Sequence, residues 1–271
     1  MLIDFHTHIF PEKIAERALA SLTQNILDVT GECSGAHPKH AGTADALRQS
    51  MQENNVDISV VMPIATTVTQ SSSINRFAAE INGQKGLYSF GSLHPMQENA
   101  EEELEKIKRL GLKGIKLHPE YQQFYINSPE SIRVLKKAEE LGLYVLLHAG
   151  EDAGMRPPFH CTPDLLADAL NSLSGKNIIA AHMGGFNCNE EFLKLLAGSE
   201  IYIDTSFCLD KLPTALAEDI IKKHGADKVL FGSDSPWERP QSILEGLKKL
   251  NITAEEFDKI TYKNASQILG I

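Results

Sequence analysis

The chain has 271 residues, of which 42% are hydrophobic, and a formal net charge of −10. That length suits one large domain over residues 1–271, and the acidic balance argues against a protein that neutralises nucleic-acid phosphates with a basic face. No apolar run approaches the ~20 residues of a membrane span, and an apparent strand begins by Leu2, which leaves no room for a signal peptide. Four scattered cysteines (Cys33, Cys161, Cys188 and Cys208), none in a CxxC pair, read as reduced thiols of a cytoplasmic protein.

Eight short apolar runs follow one another along the chain. They are LIDFHTH (2–8), ISVVMPIA (58–65), YSFGSLHP (88–95), GIKLHP (114–119), YVLLHAG (144–150), NIIAAHMGG (177–185), IYIDTSF (201–207) and VLFGSDSP (229–236). Each has the near-continuous hydrophobicity of a strand buried on both faces. Amphipathic helices lie between them. Residues 98–110 carry Leu104, Ile107 and Leu110 at helical spacing, and Gly111 stops them. Residues 129–142 start with Ser128 as N-cap and Pro129 at the first helical position, and residues 162–170 start in the same way with Thr162. Strand–helix alternation repeated eight times predicts a closed (β/α)8 TIM barrel. The alternative, an open doubly wound sheet, usually has a Gly-rich phosphate loop after its first strand, where this chain has HTHIFPE.

The connection between strands 1 and 2 is a long insertion. It holds a predicted helix from Thr43 to Glu53, preceded by the irregular stretch TGECSGAHPKH (30–40), which could form a lid. Cys33, His37 and His40 in that stretch offer metal donors, and a solvated loop is the default reading. At the other end, Thr253 and Glu256 form a capping box that opens two closing C-terminal helices.

In such a barrel the chemistry sits at the C-terminal ends of the strands. Of ten histidines, six fall there: His6, His8, His94, His118, His148 and His182; Lys116 and Asp234 accompany them. Residues i and i+2 of a strand share a face, so His6 and His8 can converge on one ion, with Asp4 sharing their parity and Phe5 and Thr7 pointing out. Lys116 could pair with Asp4 inside the barrel. His118 and His94 each precede a proline and end their strands. Arg156 and His160 follow strand 5, where a guanidinium fork could clamp a substrate carboxylate, and Trp237 follows Asp234, where it could wall a pocket.

HTHIFPE, GIKLHPEY, LLHAGED, AAHMGG and GSDSPW, in this order, resemble the amidohydrolase superfamily. The nearest branch is the amidohydrolase-related group that includes aminocarboxymuconate semialdehyde decarboxylase-like enzymes, and the resemblance runs through to the NASQILGI tail. It implies that His6, His8, His148 and Asp234 are metal ligands and that His182 is catalytic beside them. Asp234 would double as a general base. His118, Arg156 and Trp237 are the candidate substrate contacts. Binuclear members use a carbamylated lysine on strand 4; here His118 lies beyond Lys116, so one divalent metal is expected rather than two. Zn2+ comes first for such a donor set, with Mn2+, Fe2+ or Co2+ as alternatives.

Three functions compete. The first is hydrolysis of an amide, lactone or ester in a small polar molecule by metal-activated water. The second is non-oxidative decarboxylation of a small unsaturated or aromatic acid. The third is a non-catalytic barrel that binds a metal or ligand. The expected partners are a small-molecule substrate and at most a second copy of the chain in a homodimer, with no nucleic acid and no membrane.

Overall fold

The structure, a computed structural model, describes residues 1–31 and 37–271. Cys33 lies outside the described residues. In chain order the elements are β1 (Ile3–Thr7), α1 (Glu12–Thr30), α2 (Ala44–Asn54), β2 (Ile58–Val61), α3 (Ser71–Ile81), β3 (Leu87–Ser89), α4 (Ala100–Arg109) and β4 (Gly114–Leu117). Then follow α5 (Pro119–Gln122), α6 (Pro129–Glu140), β5 (Tyr144–Leu147), α7 (Pro163–Leu170), β6 (Ile178–Ala180), α8 (Asn189–Leu195) and β7 (Tyr202–Asp204). Last come α9 (Thr214–His224), β8 (Val229–Leu230), α10 (Pro240–Lys248), α11 (Ala254–Asp258) and α12 (Asn264–Leu269).

The strands pair in parallel, in the order β1-β2-β3 and β4 to β8. Single bridges, Gly91 to Ile115 and Thr7 to Ser235, join the two runs on both sides. Backbone hydrogen bonds reinforce these seams: Phe5 N–H donates to the Phe231 carbonyl at 2.8 Å and Lys116 N–H to the Gly91 carbonyl at 2.8 Å. The ring so formed is the expected (β/α)8 barrel. Every strand is shorter than its apolar run, so the histidines expected at strand ends mostly stand just past them, in the loops of the C-terminal mouth.

Two apolar clusters follow from strand alternation. One set of strand residues (Val61, Leu117, Val145, Leu147, Ala180, Ile203, Val229) packs against the helices. The other (Ile3, Phe5, Val60, Phe90, Leu146, Ile179, Leu230) fills the barrel interior and meets Ala265, Ile268 and Leu269 of α12, which plug its N-terminal end.

Phe5 therefore points in, and the simple alternation expected of β1 fails. The reason is a register shift: Asp4 pairs with Ser59 but Thr7 with Val61, three steps on β1 against two on β2. Such a bulge re-aims the side chains beyond it. Phe5 stays in the apolar layer while His6 and His8 still reach the mouth. Asp4 is turned to β8, where its carboxylate accepts from Ser233 Oγ (2.5 Å) and Ser233 N–H (2.9 Å). It is not the partner of Lys116.

The insertion after β1 holds two helices rather than one. α2 is capped by Thr43 as expected, its side chain accepting from Ala46 N–H. α1 is the added one, and it lines the barrel mouth. Ser128 caps α6, accepting from Ser131 N–H. The Thr253–Glu256 capping box is present at α11. The two closing helices form one continuous run, because a π-helical turn over Lys259–Lys263 joins α11 to α12; no Gly or Pro stands there to break it.

His224, at the end of α9, is 3% exposed. Its Nε2–H donates to the Ile201 carbonyl (2.9 Å) and its Nδ1 accepts from Gly198 N–H (3.2 Å). Burial, helped by Lys228, drops its pKa to about 4. Above pH ~6.5 the imidazole is neutral in both folded and unfolded chains and adds no pH dependence. Below that, the unfolded chain takes a proton that the folded one refuses until about pH 4. Stability should therefore fall on acidification, by about 2 kcal/mol at pH ~5 from this group. Urea denaturation of the wild type and His224→Gln at about pH 7.5 and 5 checks this. Equal pH slopes in the two proteins would remove His224 from the acid response.

Candidate metal centre and its cavity

The mouth of the barrel encloses a cavity of about 740 Å³ whose lining includes His6, His8, Lys116, His118, His148, His182, Asp234 and Trp237. His6, His8 and Asp234 each place one donor atom within 4.8 Å of the others'. His6 Nε2 lies 3.2 Å from His8 Nε2. Asp234 Oδ1 is 3.0 Å from His8 Nε2 and 3.4 Å from His6 Nε2.

The tautomers decide what these contacts mean. His6 Nδ1 donates to Asp204 Oδ2 at 2.8 Å, and His8 Nδ1 donates to the Met62 carbonyl at 2.8 Å. In each neutral ring that leaves Nε2 as a bare lone pair. His148 Nε2 donates to the Glu151 carbonyl (2.9 Å) and His182 Nδ1 to the Ser206 carbonyl (3.0 Å). Their remaining nitrogens, His148 Nδ1 and His182 Nε2, face each other at 3.1 Å. Acceptor meets acceptor at all these contacts, an arrangement that needs positive charge among the donors. Two imidazole nitrogens and a carboxylate, with further imidazoles beside them, suit a divalent transition metal.

The electrostatics agree. Burial, with Lys116 beside it, lowers the pKa of His6 to about 4, so its ring is neutral. Burial lowers His182 and sends His148 well below the ordinary range. Lys116 Nζ, 3.1 Å from His6 Nε2, is brought down to about 8 by burial. His182 and Asp234 also sit at φ of 61° and 68°, a left-handed backbone that non-glycine residues adopt at some cost and that clusters at active sites.

A second donor group, His118, His148 and Asp152, lies alongside. Its logic is different. His118 Nδ1 accepts from Tyr121 N–H at 3.3 Å, so its Nε2 carries the proton and faces Asp152 Oδ2 at 3.5 Å. His148 Nε2, also protonated, faces the same oxygen at 3.5 Å. Both ring nitrogens that face Asp152 carry protons and offer an ion no lone pair, unlike the Nε2 atoms of the first group. That contrast favours one metal over two.

Other expected contacts fall elsewhere. The guanidinium of Arg156 does not line the cavity; it donates to the Asp28 carbonyl near the end of α1 at 2.9 Å. His160 is tied to Glu120, with Nδ1 to Oε2 at 2.5 Å. His94 Nδ1 accepts from Met96 N–H, a local turn bond. His40 Nε2 contacts Ser235 Oγ at 2.8 Å. Gly232 makes room for His6: a Cβ there would stand 2.8 Å from the His6 Cβ.

Asp204 and Asp152 also stand at the mouth, and no strand-end pattern marks them within IYIDTSF and LLHAGED. Asp204 is fully buried. Besides orienting His6, its Oδ1 accepts from the backbone N–H of His182 (3.0 Å) and of Ser206 (3.0 Å). A carboxylate behind a ligating histidine fixes its tautomer and raises its basicity. Asp204→Asn should weaken metal binding about 10–100-fold, as measured by competition with a chelator; unchanged affinity would remove Asp204 from the metal's support.

The amidohydrolase family model (Amidohydro_2) matches residues 3–271. No curated protein matches the chain. Among solved structures, it is similar to a dihydroxybenzoic acid decarboxylase from Polaromonas with bound manganese and the inhibitor 2-nitroresorcinol, at 17% identity and a TM-score of 0.69, covering 99% of this chain and 96% of that one. It is similar to 5-carboxyvanillate decarboxylase from Sphingomonas paucimobilis (16% identity, TM-score 0.66, 100% and 99% covered). A probable 2-pyrone-4,6-dicarboxylic acid hydrolase from Acinetobacter baumannii with citric acid bound also superposes (18% identity, TM-score 0.67, 100% and 99% covered).

Proposed function

This chain belongs to the amidohydrolase family, and on that premise we propose that it is a metal-dependent enzyme that removes CO2 without oxidation from an aromatic or unsaturated carboxylic acid. The observation that carries this reading is the division of the cavity. Its floor is the histidine–aspartate cluster and its walls are aromatic and aliphatic, with the Phe186 and Phe207 rings 5.6 Å apart and Phe186 6.2 Å from the His182 ring. A ring would lie among these walls with its carboxylate on the floor. The similar structures that carry a decarboxylase name support the same choice.

His6, His8, His148 and Asp234 would hold one divalent metal. When bound, it supplies a Lewis acid that fixes and polarises an anionic oxygen of the substrate. Zn2+ and Mn2+ both suit the donors, and manganese is the ion in the Polaromonas relative. His182, neutral and held by Ser206, would orient the reacting acid, and Trp237 and His118 would contact it. The bond from ring carbon to carboxylate carbon breaks, its electron pair stays on the ring, and one proton replaces the CO2. Asp234 would pass on that proton, drawn from solvent. The three described cysteines are free thiols, in keeping with a cytoplasmic site of action, and no helix among the described residues is long and apolar enough to cross a membrane.

The test is a panel of hydroxylated aromatic acids, lactones and amides given to protein loaded with Mn2+ or Zn2+. CO2 and the ring bearing hydrogen are the expected products. Ring opening of a lactone or release of an amine, with no CO2 from any acid, would put hydrolysis in its place.

A further inference from the structure

We infer that the acid taken by this site carries an extended apolar arm, held in a channel between α1 and α3. This rests on the reading of the cavity floor as the place of the carboxylate. The two faces of α1 carry the inference. Ala15 and Leu19 are buried against the rest of the fold, at 2% and 6% exposure. Ile14, Ala18, Leu22 and Ile26 form a second stripe at four-residue spacing, and all four line the cavity. None of the four is buried; Ile14 is 39% exposed. Residues at i and i+4 stack on one helix face, so the stripe is one continuous apolar wall about three turns long. From α3, Ile74 and Phe77 line the same cavity, again half-exposed.

An apolar stripe left uncovered beside a catalytic floor has lost its burial energy unless something apolar lies on it. The size of the cavity says how much. At a water-like share of about 30 Å³ per heavy atom, a single-ring acid of about eleven heavy atoms fills less than half of such a space. The cavity volume of about 740 Å³ lies within the range of about 300–1,000 Å³ that takes drug-sized ligands. The remainder is the part walled by α1 and α3. The polar lining beside these helices is Lys13, Ser21 and Ser73, all exposed, and the half-exposed Gln70 before α3. An alkyl chain or a second ring on the acid fits it.

The experiment is calorimetric binding of 4-alkyl-2-hydroxybenzoates, methyl to pentyl, to the Mn2+-loaded protein. Each buried methylene should tighten binding up to about fourfold, so the pentyl acid should bind at least tenfold tighter than the methyl acid. Leu22→Asn and Ile14→Asn, both at positions outside the core, should flatten that dependence. A flat series in the wild type would overturn the inference, as would a steep series that neither variant changes. A flat series with a dimer that Leu22→Asn dissolves would assign the stripe to a second copy and overturn it too. Because binding is read without turnover, a steep series with no CO2 release supports the arm while sinking decarboxylation, and CO2 release with a flat series does the reverse.

Discussion

His6→Ala and Asp234→Ala should each lose the metal and cut kcat/KM by about 10³ or more, on the order of 4 kcal/mol of transition-state stabilisation. Removing a residue that merely orients a ligand costs about 10–100-fold, so removing a ligand should cost more. His6 offers a lone pair that Asp204 has fixed in place, and Asp234 is the anion 3.0 Å from His8 Nε2. The two variants differ in their side effects. His6→Ala strands the buried Asp204 carboxylate without its strongest partner, so it should also lose stability. Asp234→Ala removes a charge from a crowded site and should fold as well as the wild type. Metal per chain by elemental analysis, with thermal melting beside it, separates metal loss from misfolding. Full metal content and activity in both variants would sink the assignment of the centre.

Gly150→Ala should lose more than about 4 kcal/mol of stability or fail to accumulate as folded protein. Gly150 sits two residues past His148 at φ 86°. A Cβ there would stand 2.3 Å from both the Phe186 nitrogen and the Phe186 oxygen. Those atoms are held: Phe186 N–H donates to the Ala149 carbonyl at 2.8 Å, and the Phe186 carbonyl accepts from Glu151 N–H at 2.9 Å. Backbone cannot move aside without breaking the seam between the loops after β5 and β6. Gly111→Ala is the control, with nearly the same φ of 77° but nothing within 4 Å of the added carbon. It should cost only the left-handed backbone strain, about 1–2 kcal/mol. At about 2–4 °C per kcal/mol for a chain of this size, melting curves resolve the two. Equal losses would show that the crowding at Phe186 is relieved at no cost.

The strand–helix rhythm was legible because parallel strands buried on both faces are written as unbroken apolar runs. The site was legible for a related reason: charged and imidazole side chains at the ends of such runs have no place in a core. What escaped was whatever depends on more than one strand. The β1 register shift is a relation between β1 and β2, and nothing in LIDFHTH marks it. Asp204 looks like an ordinary residue of IYIDTSF until the closed barrel sets β7 two strands from β1 and brings it to His6. Arg156 reads as a substrate clamp from its loop, yet α1, a neighbour about 130 residues away in sequence, supplies the carbonyl that takes it. α1 itself spreads its apolar residues over two faces, one for the core and one for the cavity.

The seam between β1 and β8 has a consequence for the order in which the molecule is made. Asp234 leaves the ribosome 226 residues after His8, and the α12 plug follows later still. At about 5–20 residues per second the wait is on the order of 10–50 s. Through that interval β1 lacks one of its two neighbours, and its histidines have no carboxylate with which to share a cation. A metal held by His6, His8 and Asp234 would therefore be captured only once β8 has emerged, and a chain cut short before β8 forfeits the closure of its barrel.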